Sequence, residues 1–432
     1  MQHRSLKLVL VALAAPVGLF AQATKCAPDN AGLKLPAGFC ATIFADTVKG
    51  ARELTVASNG DVLVSAQGAR GQGGGVVLLR DADKNGEAEV RHQFATGFSS
   101  SHVGIFDGHL YVETWPAGGG RGAPNPPGSI VRYVYKPGET SATGTPDTIV
   151  KEIPRTGNHT TRNFAITNDG TLYMNIGSAT NSCQEPDRKP NIPGVDPCKE
   201  LDTRAGIWKF DARKKDQTPS ASNHFAKGIR NAVGITINPD GKLWATQHGR
   251  DQLGGDGGNW SFDPKYNSEN PAEELLQVNQ GDDFGWPYCY FAVDQKHLVL
   301  APEYGGDGKK TERCAQKKEP VATFPGHWAP NALLFYTGST FPAKYKNGAF
   351  IAFHGSWNRT GEPQAGYNVV FQPLSNGKAS GAYEIFAEGF SPLSGGSTGN
   401  HRPTGLAVGP DGSLYVSDDA GGRIYRIVYT GK

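Results

Sequence analysis

Six times along the chain a short apolar stretch runs into a glycine-containing turn and out into a second apolar, aromatic-rich stretch. The copies read ARELTVASNGDVLVSA, HVGIFDGHLYVETW, FAITNDGTLYMNIGS, VGITINPDGKLWATQHG, FPAKYKNGAFIAFHGS and TGLAVGPDGSLYVSDD. Glycine beside Asp or Asn supplies positive φ, and period-two apolar flanks mark half-buried strands, so each copy predicts a β-hairpin. The turn glycines would be Gly60, Gly108, Gly170, Gly241, Gly348 and Gly412. Each interval leaves room for a four-stranded blade plus insertions, which predicts an all-β chain folded as a six-bladed β-propeller.

A chain of 432 residues would ordinarily divide into two or three domains. A radial array makes residues 24–432 one domain instead. The 57 glycines suit many tight turns, and a hydrophobic share of 38% implies long polar loops around a modest core. With 43 basic against 41 acidic residues the net charge is only +2, too small an excess to grip nucleic acid.

Residues 1–23 have the pattern of a secretory signal: His3, Arg4 and Lys7, an apolar run from Leu8 to Phe20, then Ala21-Gln22-Ala23 as a cleavage site. The run is shorter than the ~20 residues of a bilayer span, and no later segment is long enough, so no stable membrane span is expected. The expected location is periplasmic or secreted. Six cysteines follow the signal, an even number that favours disulfides in an exported chain. Sequence neighbours would pair as Cys26 with Cys40, Cys183 with Cys198 and Cys289 with Cys314, one of 15 possible connectivities. No pair has the Cys-x-x-Cys spacing of a zinc site, and the Cys-x-x-Cys-His of covalent haem is absent.

Chemistry on a propeller belongs to loops around the channel mouth, so polar residues beside each hairpin are the candidates. His159 and Arg162 precede the third hairpin in GNHTTRNFAITNDG, and a histidine there can serve as a general base or simply cap a loop. Arg230-Asn231 precede the fourth, and His248-Gly249-Arg250-Asp251 follow it. His354, Trp357 and Arg359 follow the fifth, and Arg402 precedes the sixth. Arginines recurring before hairpins can clamp a multiply anionic ligand, although surface pairing would explain any one of them. FGWPYCY, around Trp286, reads as a packed turn. The stretch GGDGGNWSFDPKYNSENPAEELL shows little regular pattern.

Five strings in order carry a resemblance: HTTRNFAITNDGTLYMNIGS with NSCQEPDRKP, GIRNAVGITINPDGKLWATQHGRDQLG, FGWPYCY, AFIAFHGSWNR and RPTGLAVGPDGSLYVSDDAGGRIYRI. From about Gly38 to Tyr429 the chain resembles the soluble glucose and sorbosone dehydrogenases that use pyrroloquinoline quinone. That resemblance implies a six-bladed propeller holding the quinone and calcium (Ca2+) at one mouth. It implies His159 as the base that takes a sugar hydroxyl proton while hydride passes to the quinone, and Arg230 as the group polarising the reacting carbonyl. Asn231 and His248 would line the cofactor, Arg402 would pair with its carboxylates, and the main-chain carbonyls of Gly249 and Arg250 would ligate calcium. The chain departs from the family in three places. Arg250 stands where proline is common, Trp357, Asn358 and Arg359 replace a cofactor lysine, and His102 is only the nearest polar match to a glutamine before the second hairpin.

The reading is therefore an exported dehydrogenase for a sugar hydroxyl or sugar aldehyde that passes electrons to an external acceptor. Two other classes remain open from the residues alone. One is a calcium-dependent lactonase or esterase, which would need several carboxylates converging beside the repeats. The other is a non-catalytic propeller binding carbohydrate or protein through exposed tryptophans.

Overall fold

The computed structural model describes residues 26–68, 73–116, 125–253, 260, 262–390 and 400–431, so the expected signal segment lies outside them. Six of the seven antiparallel sheets among the described residues are the blades of a ring, and the seventh is a two-stranded hairpin, Cys289–Ala292 with His297–Leu300. Blade 1 comprises Ala51–Val56, Val62–Ala66, Gly75–Arg80 and Val90–Ala95. Blade 2 runs through Val103–Phe106, His109–Pro116, Gly128–Val134 and Asp147–Ile153, and blade 3 through Phe164–Ile166, Thr171–Ile176, Gly206–Asp211 and His224–Lys227. Blade 4 uses Ile235–Ile237, Leu243–Gln247, Glu273–Val278 and Ala322–Phe324. Blade 5 uses Pro330–Phe335, Gly348–Phe353, Asn368–Ser375 and Glu384–Ala387.

Blade 6 takes Pro403–Val408, Leu414–Asp418 and Arg423–Tyr429 from the C-terminal end, and its outer strand, Phe39–Ala45, from the N-terminal end. Pairing the two ends of the array in one sheet closes the ring and removes the edge that an open array would expose. Phe39 secures this closure, meeting the rings of Phe341, Phe386 and Tyr345 edge-on at centroid distances of 4.8, 5.0 and 5.5 Å.

Five of the six expected hairpins form at the expected turns, with Gly60, Gly108, Gly170, Gly241 and Gly412 all at φ between 69° and 92°. The fifth differs. FPAKYKN is no strand: Ala343–Lys346 form a 3-10 turn, Gly348 opens the second strand, and the inner strand is the earlier Pro330–Phe335. The segment expected to be irregular also holds a short helix, Pro264–Glu269, started by Asp263, whose side chain accepts from the Tyr266 N–H, and by proline in the first turn. The blade-4 strand Glu273–Val278 follows it. All three expected disulfides are present. Among the described residues no helix is long and apolar enough to cross a membrane.

The inner strands enclose a cavity of about 240 Å³ lined by one face of every blade, through Leu54, Ile105, Ala165, Ile235, Leu333 and Leu406. In an antiparallel blade the start of the inner strand and the end of its neighbour lie at the same end. Polar residues that precede first strands and follow second strands therefore gather at one mouth of the ring, opposite the turn glycines.

Candidate active site

His159 sits at that mouth, just before blade 3. Its Nδ1 is 2.9 Å from both the main-chain oxygen and the Oγ of Ser178. A carbonyl can only accept, and Ser178 Oγ already donates to the Thr180 carbonyl at 2.6 Å, so Nδ1 carries the proton and Nε2 the lone pair. Burial, followed by the positive charge of Arg230, holds the imidazole well below the usual histidine range, so it is neutral at pH 7. Gly177 makes room for it: a Cβ there would lie 2.7 Å from His159 Cβ and 3.2 Å from Asn231 Oδ1. Arg162 is fully buried and donates to the carbonyls of Pro154, His159 and Thr161, so it shapes this loop from beneath.

The second candidate is joined to the first through one residue. Ser178 N–H donates to the Arg230 carbonyl at 2.8 Å while the Ser178 carbonyl accepts from His159. Arg230 is 3% exposed. Its Nε donates to Asn181 O at 3.2 Å, Nη1 to Gly249 O at 2.8 Å, and Nη2 to Asn181 Oδ1 at 2.8 Å and Asp251 Oδ2 at 3.0 Å. Asn231 is buried next to it, and its Oδ1 has no partner among the described residues. His248 Nε2 lies 3.1 Å from the Pro330 carbonyl, and burial lowers its pKa to about 3, so this imidazole is neutral too.

On the blade 5–6 side, Arg402 donates from Nε to His354 O at 2.8 Å and from Nη2 to Gly355 O at 2.6 Å, with its guanidinium over the Tyr367 ring. His354 is paired with Asp419 at 2.8 Å, and Asp419 with Arg52 at 2.7 Å. Trp357 projects from the same loop and is 59% exposed. Arg359 is turned away: its guanidinium donates to the carbonyls of Pro363, Ser268 and Gly326 and braces the loop. His102 lines the central cavity, against Phe164 at 4.5 Å, with its pKa lowered to about 3 by burial.

The Gly249-Arg250 turn is held from both sides. Glu273 accepts from Gly249 N–H at 3.0 Å and from Ala329 N–H at 3.2 Å, and burial raises its pKa to about 7. The Arg250 guanidinium is buried against Glu303, which also accepts from Ser182 and Trp260. The carboxylates near the mouth are thus each engaged by protein donors.

Residues without a distinctive local signal complete the wall. Asp187 and Arg188 come from the loop that Cys183–Cys198 closes, and Asn181 stands just before it. Asp187 Oδ1 accepts from Asn181 N at 2.9 Å, and Arg188 donates to Asp251 at 2.9 Å. Trp286, in the packed turn, is 4% exposed and donates to Asn181 O at 3.0 Å.

The chain matches the TrAA12-like family over residues 33–430. It belongs to that family. Among curated relatives, an uncharacterised protein of Borreliella burgdorferi is 30% identical over 207 residues, 47% of this chain and 48% of that protein. A pyrroloquinoline quinone-dependent pyranose dehydrogenase of Coprinopsis cinerea is 27% identical over 256 residues, 51% of this chain and 34% of that protein. The matches thus span half or less of those relatives. Solved structures share the fold over nearly their whole length. A Trichoderma reesei protein of carbohydrate-active enzyme family AA12 superposes with a TM-score of 0.72 at 20% identity, covering 92% of this chain and 98% of that one. The holo quinone domain of the Coprinopsis cinerea pyranose dehydrogenase gives 0.70 at 20% identity, covering 92% and 97%. At that identity the TrAA12-like chain shares their six-bladed architecture.

Proposed function

We propose that this TrAA12-like chain is an exported oxidoreductase that binds pyrroloquinoline quinone at the His159–Arg230 mouth and oxidises a sugar hydroxyl or sugar aldehyde. The observation that carries the reading is the state of His159: half-buried, neutral, with Nδ1–H committed to Ser178 and the Nε2 lone pair left for a substrate proton.

The donor set fits the quinone. Pyrroloquinoline quinone carries three carboxylates, and the mouth offers Arg188, Arg230 and Arg402 with Arg52 behind, against the carboxylates Asp251 and Asp419. The unpartnered Oδ1 of Asn231 is a further polar atom suited to a bound group. Arg230 and Asn231 would hold the cofactor, with Arg402 on a carboxylate. Calcium would take main-chain carbonyls, its usual hard oxygen ligands. That of Arg250 accepts no hydrogen bond among the described residues, whereas that of Gly249 already takes Arg230 Nη1.

When bound, the quinone supplies an acceptor for the hydride leaving the carbinol carbon. The protein's part is proton transfer and orientation. Nε2 of His159 takes the hydroxyl proton as the C–H bond breaks, and Ser178 fixes the ring's tautomer and angle through Nδ1. Arg230 brings a positive charge held in place before the reaction, which stabilises developing negative charge without reorganisation. Electrons then leave to a separate acceptor. The three disulfides support export to an oxidising compartment, and the curated pyranose dehydrogenase supports a sugar as substrate.

Reconstitution tests the reading. Apoprotein supplied with quinone and calcium should reduce an artificial acceptor dye with at least one member of a panel of aldoses and ketoaldehydes, and metal-stripped protein with quinone alone should not. Failure of the apoprotein to bind the quinone would remove the proposal.

A further inference from the structure

Three segments remote in sequence meet on one carboxylate. Asp251 Oδ2 accepts from Arg230 Nη2 at 3.0 Å and from Arg188 Nη2 at 2.9 Å, and Oδ1 accepts from Asn358 Nδ2 at 2.7 Å. Its main chain is clamped as well: Asn181 Oδ1 accepts from Asp251 N, and Asn181 Nδ2 donates to Asp251 O, both at 2.9 Å. The loop of Cys183–Cys198, the segment before blade 4 and the loop after the second strand of blade 5 are thereby tied together.

An Arg side chain has five N–H groups. In Arg230 four are committed: Nε to Asn181 O, one Nη1 hydrogen to Gly249 O, and the two Nη2 hydrogens to Asn181 Oδ1 and Asp251. One Nη1 hydrogen remains. Asp251 is the only charged partner of Arg230 among the described residues, and it keeps two guanidinium groups, those of Arg188 and Arg230, side by side on a single oxygen. Without that negative charge the two cations would repel, and neutral carbonyls alone would have to hold Arg230 in register.

We propose that Asp251 is a positioning residue: it fixes the Arg230 guanidinium so that the one uncommitted N–H faces the bound quinone, and Asn358 fixes Asp251 in turn. The inference rests on the quinone reading above. A donor held in place before the reaction contributes more than one that must be gathered in during it, so the effect falls on turnover more than on binding.

The test compares wild type with Asp251→Asn, which keeps size but removes the charge. Three readouts are needed: pyrroloquinoline quinone affinity of the apoprotein by absorbance titration, thermal midpoint, and kcat and KM of the reconstituted enzyme. The expected result is a kcat loss of about tenfold or more with sugar KM within about twofold. Quinone affinity should be kept or increased, because two arginines are freed for its carboxylates. A kcat within about twofold of wild type overturns the proposal, as does a loss of quinone affinity in step with kcat, which is what a merely structural role would give. If Asp251→Asn does not fold, Asn358→Ala decides, since it removes one hydrogen bond only: kcat should fall several-fold at unchanged quinone affinity, and an unchanged kcat overturns the inference. Wild-type apoprotein that binds no quinone overturns the functional reading and this inference together, whereas the Asp251→Asn results above sink this inference alone.

Discussion

At the scale of single residues, the candidate site is marked by charges withheld. His159 and His248 are neutral because burial removes the water that would stabilise their protonated forms and Arg230 adds like charge. A base must be unprotonated to act, so a lowered pKa extends activity toward acid. We expect kcat/KM of the reconstituted enzyme to stay nearly level from pH 8 down to pH 6, where an ordinary histidine of pKa ≈ 6.5 would have lost about three-quarters of its unprotonated form. A pH–rate profile checks this, and a fall centred on pH 6.5 would show an unperturbed base. His159, Arg230 and Arg402 stand out in the sequence as candidates because they flank recurring hairpins, and the structure brings them to one mouth of the ring. Asp251 could not be given a role, although it stands in the same motif: its partners lie 21, 63 and 107 residues away, and nothing local separates an ion-paired Asp from a surface one.

Elements were readable where turn chemistry is local. Asp-Gly and Asn-Gly turns fixed five hairpins, because the glycine φ and the alternation beside it belong to the same few residues. The fifth was misplaced because Asn347-Gly348 follows a 3-10 turn, and the true inner strand, Pro330–Phe335, is separated from its partner by a long connection. The site wall depends on an element without regular structure, the loop closed by Cys183–Cys198, which carries Asp187 and Arg188 and adjoins Asn181. Closing a loop of that length is worth about 3 kcal/mol through the unfolded state. Cys183→Ala with Cys198→Ala should therefore cost about that much in chemical denaturation. It should also weaken quinone binding, because Asn181 and Arg188 lose their anchor. Unchanged quinone affinity would mean that the loop holds its shape without the disulfide.

Over the whole molecule, closure of the ring makes the mouth a fixed template. Arg52 of blade 1 reaches Asp419 of blade 6, and Arg402, which opens blade 6, reaches the His354 and Gly355 carbonyls after the second strand of blade 5, so the site crosses blade boundaries. The N-terminal strand Phe39–Ala45 completes blade 6, and Phe39 is its aromatic anchor. Phe39→Ala should destabilise by about 3–5 kcal/mol, the usual cost of removing a buried phenylalanine. It should lower the unfolding midpoint without changing kcat of the folded fraction, since Phe39 lies far in sequence and contact from His159. A parallel loss of kcat would show that closure and catalysis are coupled more tightly than the contacts indicate.

The central claim, that His159 is the base for oxidation at a quinone-binding mouth, is tested most directly by single-turnover reduction of the bound cofactor. Apoprotein and its His159→Ala variant are each loaded with pyrroloquinoline quinone and calcium, mixed with the best sugar from the panel without an acceptor, and followed by the absorbance of the quinone. The account predicts equal loading in both proteins and reduction at least about a hundredfold slower in the variant, the usual share of a positioned base. Equal loading with reduction at the wild-type rate would contradict it.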